Sequence, residues 1–318
     1  MDIFFKDIRY GLRGLVKRPG FTAIVVITLA LGIGASTAIF SIVDSVLLRR
    51  LPYKNAERIV AIEEFNREGK KGQVTSANFY DWRAQNTVFE QLTAIKTTTT
   101  NLGLSDHAER VNLAQTNANF FDVFGVMPQY GRFFISQDEQ PGHAPVVVVS
   151  HALWQRLGAD PSLVGKPITL DGTNYTVIGI APPDFQYPKK TEVWLPPLRL
   201  VPEMYPGQDV TQTRRMGYLA AAALLKPGVT LQQAASEMET ITARLRQQYP
   251  DTNNRRFNRV VSLHQHLVGD TNKLLWLLLG AVTFVLLIGC ANVANLLLAS
   301  GAARQKEMAI RTALGASR

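Results

Sequence analysis

Thirty consecutive residues, Leu274 to Ala303, carry no charge. About 20 apolar residues, each rising 1.5 Å, cover a hydrocarbon core of about 30 Å, so this run is long enough to cross a bilayer as one helix. The residues behind it, Arg304 to Arg318, are charged and amphipathic, and they sit at the membrane surface if the run crosses. A second charge-free run, Phe21 to Val43, lies near the start of the chain. A cleaved signal core spans only about 7–15 residues, and this run is nearly twice as long, so a retained span is expected. The 46% hydrophobic content thus averages two apolar blocks with a middle of about 225 residues that reads like an ordinary soluble chain. That middle has room for one large or two small domains.

The net charge of +9 is unevenly spread. Residues 1–20 carry Lys6, Arg9, Arg13, Lys17 and Arg18 against Asp2 and Asp7, a net +3. Residues 301–318 carry Arg304, Lys306, Arg311 and Arg318 against Glu307, also +3. Basic flanks stay on the cytoplasmic side, which puts both ends inside and the middle outside, periplasmic in a Gram-negative cell and extracellular otherwise. No Lys/Arg-rich run with interleaved aromatics is present, so membrane topology rather than nucleic acid accounts for the basic balance. The single cysteine, Cys290, lies in the second apolar block, so the exported domain relies on its core rather than on disulfides.

Along the chain, residues 3–18 place Phe4, Ile8, Leu12 and Leu15 on one helical face and Lys6, Arg9, Arg13 and Lys17 on another, the pattern of a helix on an anionic membrane surface. An ordinary surface helix shares the pattern; the apolar block that follows favours the membrane. Pro19-Gly20 is expected to end this helix. In the first span, 21–48, Ala30, Gly34 and Ala38 recur every four residues, as do Gly32 and Ser36. Such spacing lets helices approach closely, and lipid-facing filler has the same composition. Asp44 reads as a solvated helix-end residue.

In the middle, 58–66 alternates like a strand, 76–86 reads as a helix capped by Ser76, 91–104 as a hairpin, 109–117 as a strand and 118–125 as a short helix stopped by Gly125. Residues 146–157 read as a buried strand entering a helix. Residues 165–185 read as two strands joined at Asp171-Gly172, and 193–195 as an edge strand. A strand over 214–226, a turn at Pro227-Gly228 and a helix over 231–249 capped by Thr230 follow, with Leu231, Ala234, Ala235, Met238, Ile241 and Leu245 as the helix's apolar face. Residues 259–267 read as a strand leading into the second span. The mixture of strands and helices indicates an α+β layer domain.

Catalytic sets are weak. His264 and His266 share a face of the expected strand, but Asp270 alone makes a poor third metal ligand, and two solvated histidines are the simpler reading. Ser150-His151 and Ser105-Asp106-His107 are adjacent rather than convergent. No G-x-x-x-x-G-K-[ST] loop is present, so a system that used ATP would bind it on a partner. The expectation is no enzyme activity, no cofactor and no metal. The terminal segment is more informative. Ile310 and Leu314 lie one turn apart, Glu307 and Arg311 form an i,i+4 pair, and Gly315 would end the helix. This helix suits docking on a soluble partner or lying on the membrane surface, and the residues alone do not separate the two.

The block GCANVANLLLASGAARQKEMAIRTALGASR resembles the second span and coupling helix of MacB/FtsX-type ABC transporter permeases. The opening FFKDIRYGLRGLVKRPGFTAIVVITLALGIGASTAIFSIVDSVLLR looks like that family's amphipathic helix and first span. NFFDVFGVMPQYGRFF, VVVVSHALWQRLGADPSLVGKPITLDGTNYTVIGIAPPDF and LKPGVTLQQAASEM look like its exported core domain. The likeness is greatest to the duplicated permeases of acidobacteria. It implies an α+β fold in which two transmembrane helices flank a large exported domain with an inserted β-rich lobe, plus an N-terminal amphipathic helix and a C-terminal coupling helix. The corresponding boundaries are 1–20, 21–48, 49–272 (lobe 49–130 and 201–272, insert 131–200), 273–303 and 304–318. The resemblance implies docking on a cytoplasmic ABC ATPase through Glu307, Met308, Ile310, Arg311, Leu314 and Gly315. It adds Gly289, Asn292 and Asn295 to Ala30, Gly32, Gly34, Ser36 and Ala38 as helix-packing residues. It further implies a multi-pass inner-membrane location, a homodimer or pseudo-dimer of permease halves in contact with lipid, and mechanical transmission driving efflux or lipoprotein handling. The family pattern continues with two further spans, so these residues are expected to be the front part of such a permease or a truncated product of one. A two-span sensor with an extracytoplasmic ligand-binding domain shares the topology, but should run from its second span into signalling heptads, where this chain has the helix stop A-L-G-A.

Overall fold

The computed structural model describes residues 19–44, 51–104, 107–140, 142–196, 214–269 and 271–313. The expected amphipathic helix over 3–18 lies outside them, as do Ser105, Asp106, Leu314 and Gly315. The chain forms two units, one of residues 1–49 with 268–318 and one of residues 50–267.

The first unit is a pair of long helices, α1 (Pro19–Val43) and α8 (Thr271–Ala313). Both contain stretches long and apolar enough to cross a membrane, Thr22–Val43 and Asn272–Asn295. Pro19 and Gly20 are the first described residues of α1, consistent with the tolerance for proline in a first helical turn; whether they also end the expected helix over 3–18 lies outside the described residues. Inside α1 and α8 hydroxyls fold back on their own helix: Thr28 donates to the Ile24 carbonyl, Ser41 to Thr37 and Thr283 to Leu279, each at 2.8 Å. Such bonds would keep those hydroxyls satisfied in a bilayer, which offers no hydrogen bonds.

The second unit is α+β. Its strands are β1 (Ile59–Asn66), β2 (Lys71–Gly72), β3 (Val74–Thr75), β4 (Phe89–Gly103), β5 (Ala108–Thr116), β6 (Tyr130–Gly131), β7 (Val146–Val149), β8 (Pro167–Leu170), β9 (Thr173–Ile180), β10 (Val193–Leu195), β11 (Gly217–Leu225) and β12 (Arg256–Ser262). Hydrogen bonding runs through one sheet in the order β12-β1-β11-β4-β5-β10-β7-β9-β6. The pairs are antiparallel except β5–β10 and β7–β9. The helices are α2 (Ser76–Gln85), α3 (Phe120–Phe124), α4 (His151–Arg156), α5 (Leu231–Gln248), α6 (Pro250–Asn253) and α7 (Leu263–Val268).

Three cores follow from strand alternation. Val60, Ile62, Ala221 and Ala223 pack with Phe79 and Trp82 of α2 and Met238, Ile241 and Leu245 of α5. Ile59, Ala222 and Leu224 point the other way, into a second core with Phe120, Phe121, Phe124 and Trp194. The alanine run of β11 is thus a central strand covered on both faces, which reads as a continuous apolar stretch rather than an alternation. Val147 and Val149 join Leu153 and Trp154 of α4 in a third core, while Val146 and Val148 face the second. The second core also joins the sequence on either side of residue 130, since Phe121 stacks on Phe133 with ring centroids 3.7 Å apart. The sheet continues across the same boundary through the parallel β5–β10 pairing.

Local signals account for most turns. Asp171 and Gly172 both adopt positive φ (46° and 79°), the two-residue turn that matches strand twist. The Asp171 carboxylate then accepts hydrogen bonds from Thr100 Oγ1 at 2.6 Å and the Asn101 amide at 3.1 Å, tying the β8–β9 hairpin to β4. Thr230 and Gln233 form a reciprocal capping box at the start of α5.

Five expectations are corrected. The expected hairpin over 91–104 is instead one strand through Gly103, part of the 15-residue β4, because four consecutive threonines offer no tight turn; the chain reverses only before β5. Residues 193–195 are a buried interior strand between β5 and β7, not an edge. Residues 263–268 are helical, started by Ser262 Oγ accepting from the Gln265 amide at 3.1 Å. The N-cap position of α2 is Thr75, not Ser76. Leu231 is exposed at the start of α5, outside its buried face.

Candidate functional site

The helix pair positions the sequence-derived packing residues unequally. A Cβ placed on Gly32 would lie 2.9 Å from Leu286 Cδ1, and one on Gly289 would lie 3.3 Å from Thr28 Cγ2. Residue 32 therefore faces 286 while residue 28 faces 289, so the helices run antiparallel with glycines in their seam, where a missing side chain allows close approach. Gly32 is buried, and Ser36 and Gly289 are partly covered. Ala30, Gly34, Ala38, Asn292 and Asn295 are exposed on the pair and are not brought into this seam. Beyond the span, α8 continues without interruption across Ala303 and Arg304 to Ala313. Glu307, Met308, Ile310 and Arg311 lie on this continuation; Leu314 and Gly315 lie outside the described residues.

In the α+β unit, the histidine pair is separated by the helix that replaces the expected strand, because residues two apart on a helix point in different directions. His266 Nδ1 sits 2.6 Å from Glu63 Oε1, and Lys71 Nζ donates to the same oxygen at 2.5 Å. Burial pushes the Glu63 carboxyl up, but the hydrogen bonds and charges of Lys71 and His266 together outweigh it and hold Glu63 below its usual range. Ser150 Oγ accepts from the Leu153 amide at 3.1 Å as the cap of α4, and His151 Nδ1 contacts Gln129 Oε1 at 2.7 Å, so the two side chains serve separate local roles. Among the described residues, no three His, Cys, Asp or Glu side chains gather to hold a metal.

Sequence reading missed a polar cluster at the β12 end of the sheet. Glu64 is buried and paired with Arg256. Asn78 of α2 links it through Asn253 (2.9 Å) to α6 and through Arg214 (2.9 Å) to the segment before β11. Arg214 also pairs with Asp81 at 2.6 Å and lies 3.7 Å over the Tyr249 ring. Burial holds Glu64 above its usual range despite Arg256. The available signal was Glu64 at an inward position of β1, a site that requires a cationic partner.

A family model described as the MacB-like periplasmic core domain matches residues 22–241. No curated protein matches the chain. Among solved structures, a domain assigned to a permease from Porphyromonas gingivalis is similar at 15% identity and a TM-score of 0.51, covering 66% of this chain and 93% of that one. The periplasmic region of MacB from Actinobacillus actinomycetemcomitans is similar at 16% identity and a TM-score of 0.48, covering 67% and 92%. The extracellular domain of the ABC-type transporter YknZ from Gram-positive bacteria is similar at 17% identity and a TM-score of 0.45, covering 63% and 99%. At these identities the likeness is one of fold.

Proposed function

The chain belongs to the MacB-like periplasmic core domain family of ABC-transporter permeases, and from that premise we propose that it is an inner-membrane permease part driven by a separate cytoplasmic ATPase. The first and last segments lie in the cytoplasm, α1 and α8 cross the membrane, and the α+β unit lies outside. The ATPase docks on residues 304–315, and its cycle moves the outer unit by mechanical transmission, for efflux or lipoprotein handling. The chain itself carries out no catalysis and works as a dimer or pseudo-dimer of permease halves.

The observation that carries this reading is the continuity of α8. Its 43 residues measure about 65 Å at 1.5 Å per residue, twice the hydrocarbon thickness of about 30 Å. The span is therefore joined to the docking segment as one helix, and a displacement at residues 304–313 has a stiff element to travel along. These 318 residues contain no phosphate-binding loop, which fits ATP hydrolysis elsewhere, and the net +3 of residues 301–318 suits the cytoplasmic side.

The test is association with the cognate ATPase. Charge reversal at Arg311 combined with Leu314→Asp should abolish co-purification while the thermal transition of the outer unit stays in place. Undiminished co-purification contradicts docking through this segment.

A further inference from the structure

A cleft beside the β1–β2 turn, about 390 Å³ in volume, takes no part in the permease reading. Glu64 and Phe65 of β1, Lys70 and Lys71 at the turn, and Arg255 and Arg256 at the start of β12 line it. Its size falls among small-ligand pockets, roughly 300–1,000 Å³.

The charges in this cleft are not balanced. Glu64, the one carboxylate among the described lining residues, is spent on Arg256. The other two nitrogens of Arg256 also donate, Nε to the Thr252 carbonyl at 3.2 Å and Nη2 to the Arg215 carbonyl at 3.1 Å. Lys71 is engaged with Glu63 at 2.5 Å. Lys70 and Arg255 are exposed, and their side chains make no hydrogen bond or ion pair among the described residues. Two positive charges thus line a concave surface without a counter-ion among the described residues. Phe65 borders the cleft through its backbone, since its ring turns to the opposite face of β1 from Glu64, with the Arg259 guanidinium 4.5 Å from it.

We propose that this cleft binds a small oxyanion, a phosphate or a carboxylate. Lys70 and Arg255 supply the charge. Guanidinium and ammonium groups make charge-assisted hydrogen bonds to such oxygens, stronger than neutral ones. Buried Glu64 fixes Arg256 and so holds the floor of the cleft. The inference stands independently of the ATPase partnership.

Isothermal titration of the full chain in maltoside detergent and a buffer free of phosphate and carboxylates tests it, with inorganic phosphate and acetate as probes. At least one of the two should bind saturably, and the tighter identifies the head group. The Lys70→Gln/Arg255→Gln double variant should weaken that binding about tenfold or more, with an unchanged thermal transition because neither side chain has a partner to lose among the described residues. Lys189→Gln, a charge removal at an exposed position outside the cleft, should leave it unchanged. Absence of saturable binding, or binding that survives in the double variant, overturns the proposal.

Discussion

On β1, Glu63 and Glu64 are neighbours that the fold treats in opposite ways. Glu63 is held below the usual glutamate value of 4.5 because Lys71 and His266 prevail over burial. Glu64 is held above it because burial prevails over Arg256. The signs differ accordingly. Ionised Glu63 stabilises the fold above the unfolded value, and that contribution is lost as pH falls through its depressed folded value. Glu64 favours its neutral form in the fold, so its charge costs stability at neutral pH, and the cost is relieved as pH falls through its raised value. Glu63→Gln should therefore lower stability near neutral pH and flatten the acid limb below about pH 4.5, with Glu64 common to both proteins. Thermal melts across that range check this; equal slopes in the two proteins would show that Glu63 is not stabilised by its partners.

At the scale of elements, the seam between α1 and α8 depends on Gly32. The atom nearest a new Cβ there is the end of a leucine side chain, Leu286 Cδ1 at 2.9 Å, which can turn aside for one methyl group. Gly32→Ala should be tolerated. Gly32→Ile adds a branched chain that the seam has no room for, costing about 1–3 kcal/mol by overpacking. Gly34→Ile, at a position with nothing within 4 Å, should cost little in the isolated chain. Cross-linking yield between paired cysteines at Thr28 and Gly289 reports the difference, and equal yields for Gly32→Ile and the parent would contradict the seam.

These elements also show what was legible in the sequence. Charge-free length located both long apolar helices, Asp171-Gly172 located its hairpin, and Thr230 located the start of α5, since each is a local signal with a local cause. Burial on both faces hid the interior position of β10, because three apolar residues before a proline look the same at an edge. Helical spacing listed Ala30, Gly34 and Ala38 beside Gly32 and Ser36, but which face meets α8 depends on the partner helix, which spacing does not encode. The pairing of Glu64 with Arg256 joins residues 192 apart, and no local pattern announces it.

For the molecule as a whole, the proposed function requires the α+β unit on one side of the membrane and the end of α8 on the other. The basic flanks and the uninterrupted α8 are what support that proposal, and the proposed ATPase docking and mechanical transmission depend on it. The direct measurement is labelling with a membrane-impermeant maleimide in cells made accessible to the reagent from outside, in a Cys290→Ser background. Glu68→Cys, at the exposed β1–β2 turn, should label in intact cells, and Lys306→Cys should label only after the membrane is permeabilised. Labelling at the Lys306→Cys site in intact cells, or protection of the Glu68→Cys site until permeabilisation, would contradict the account.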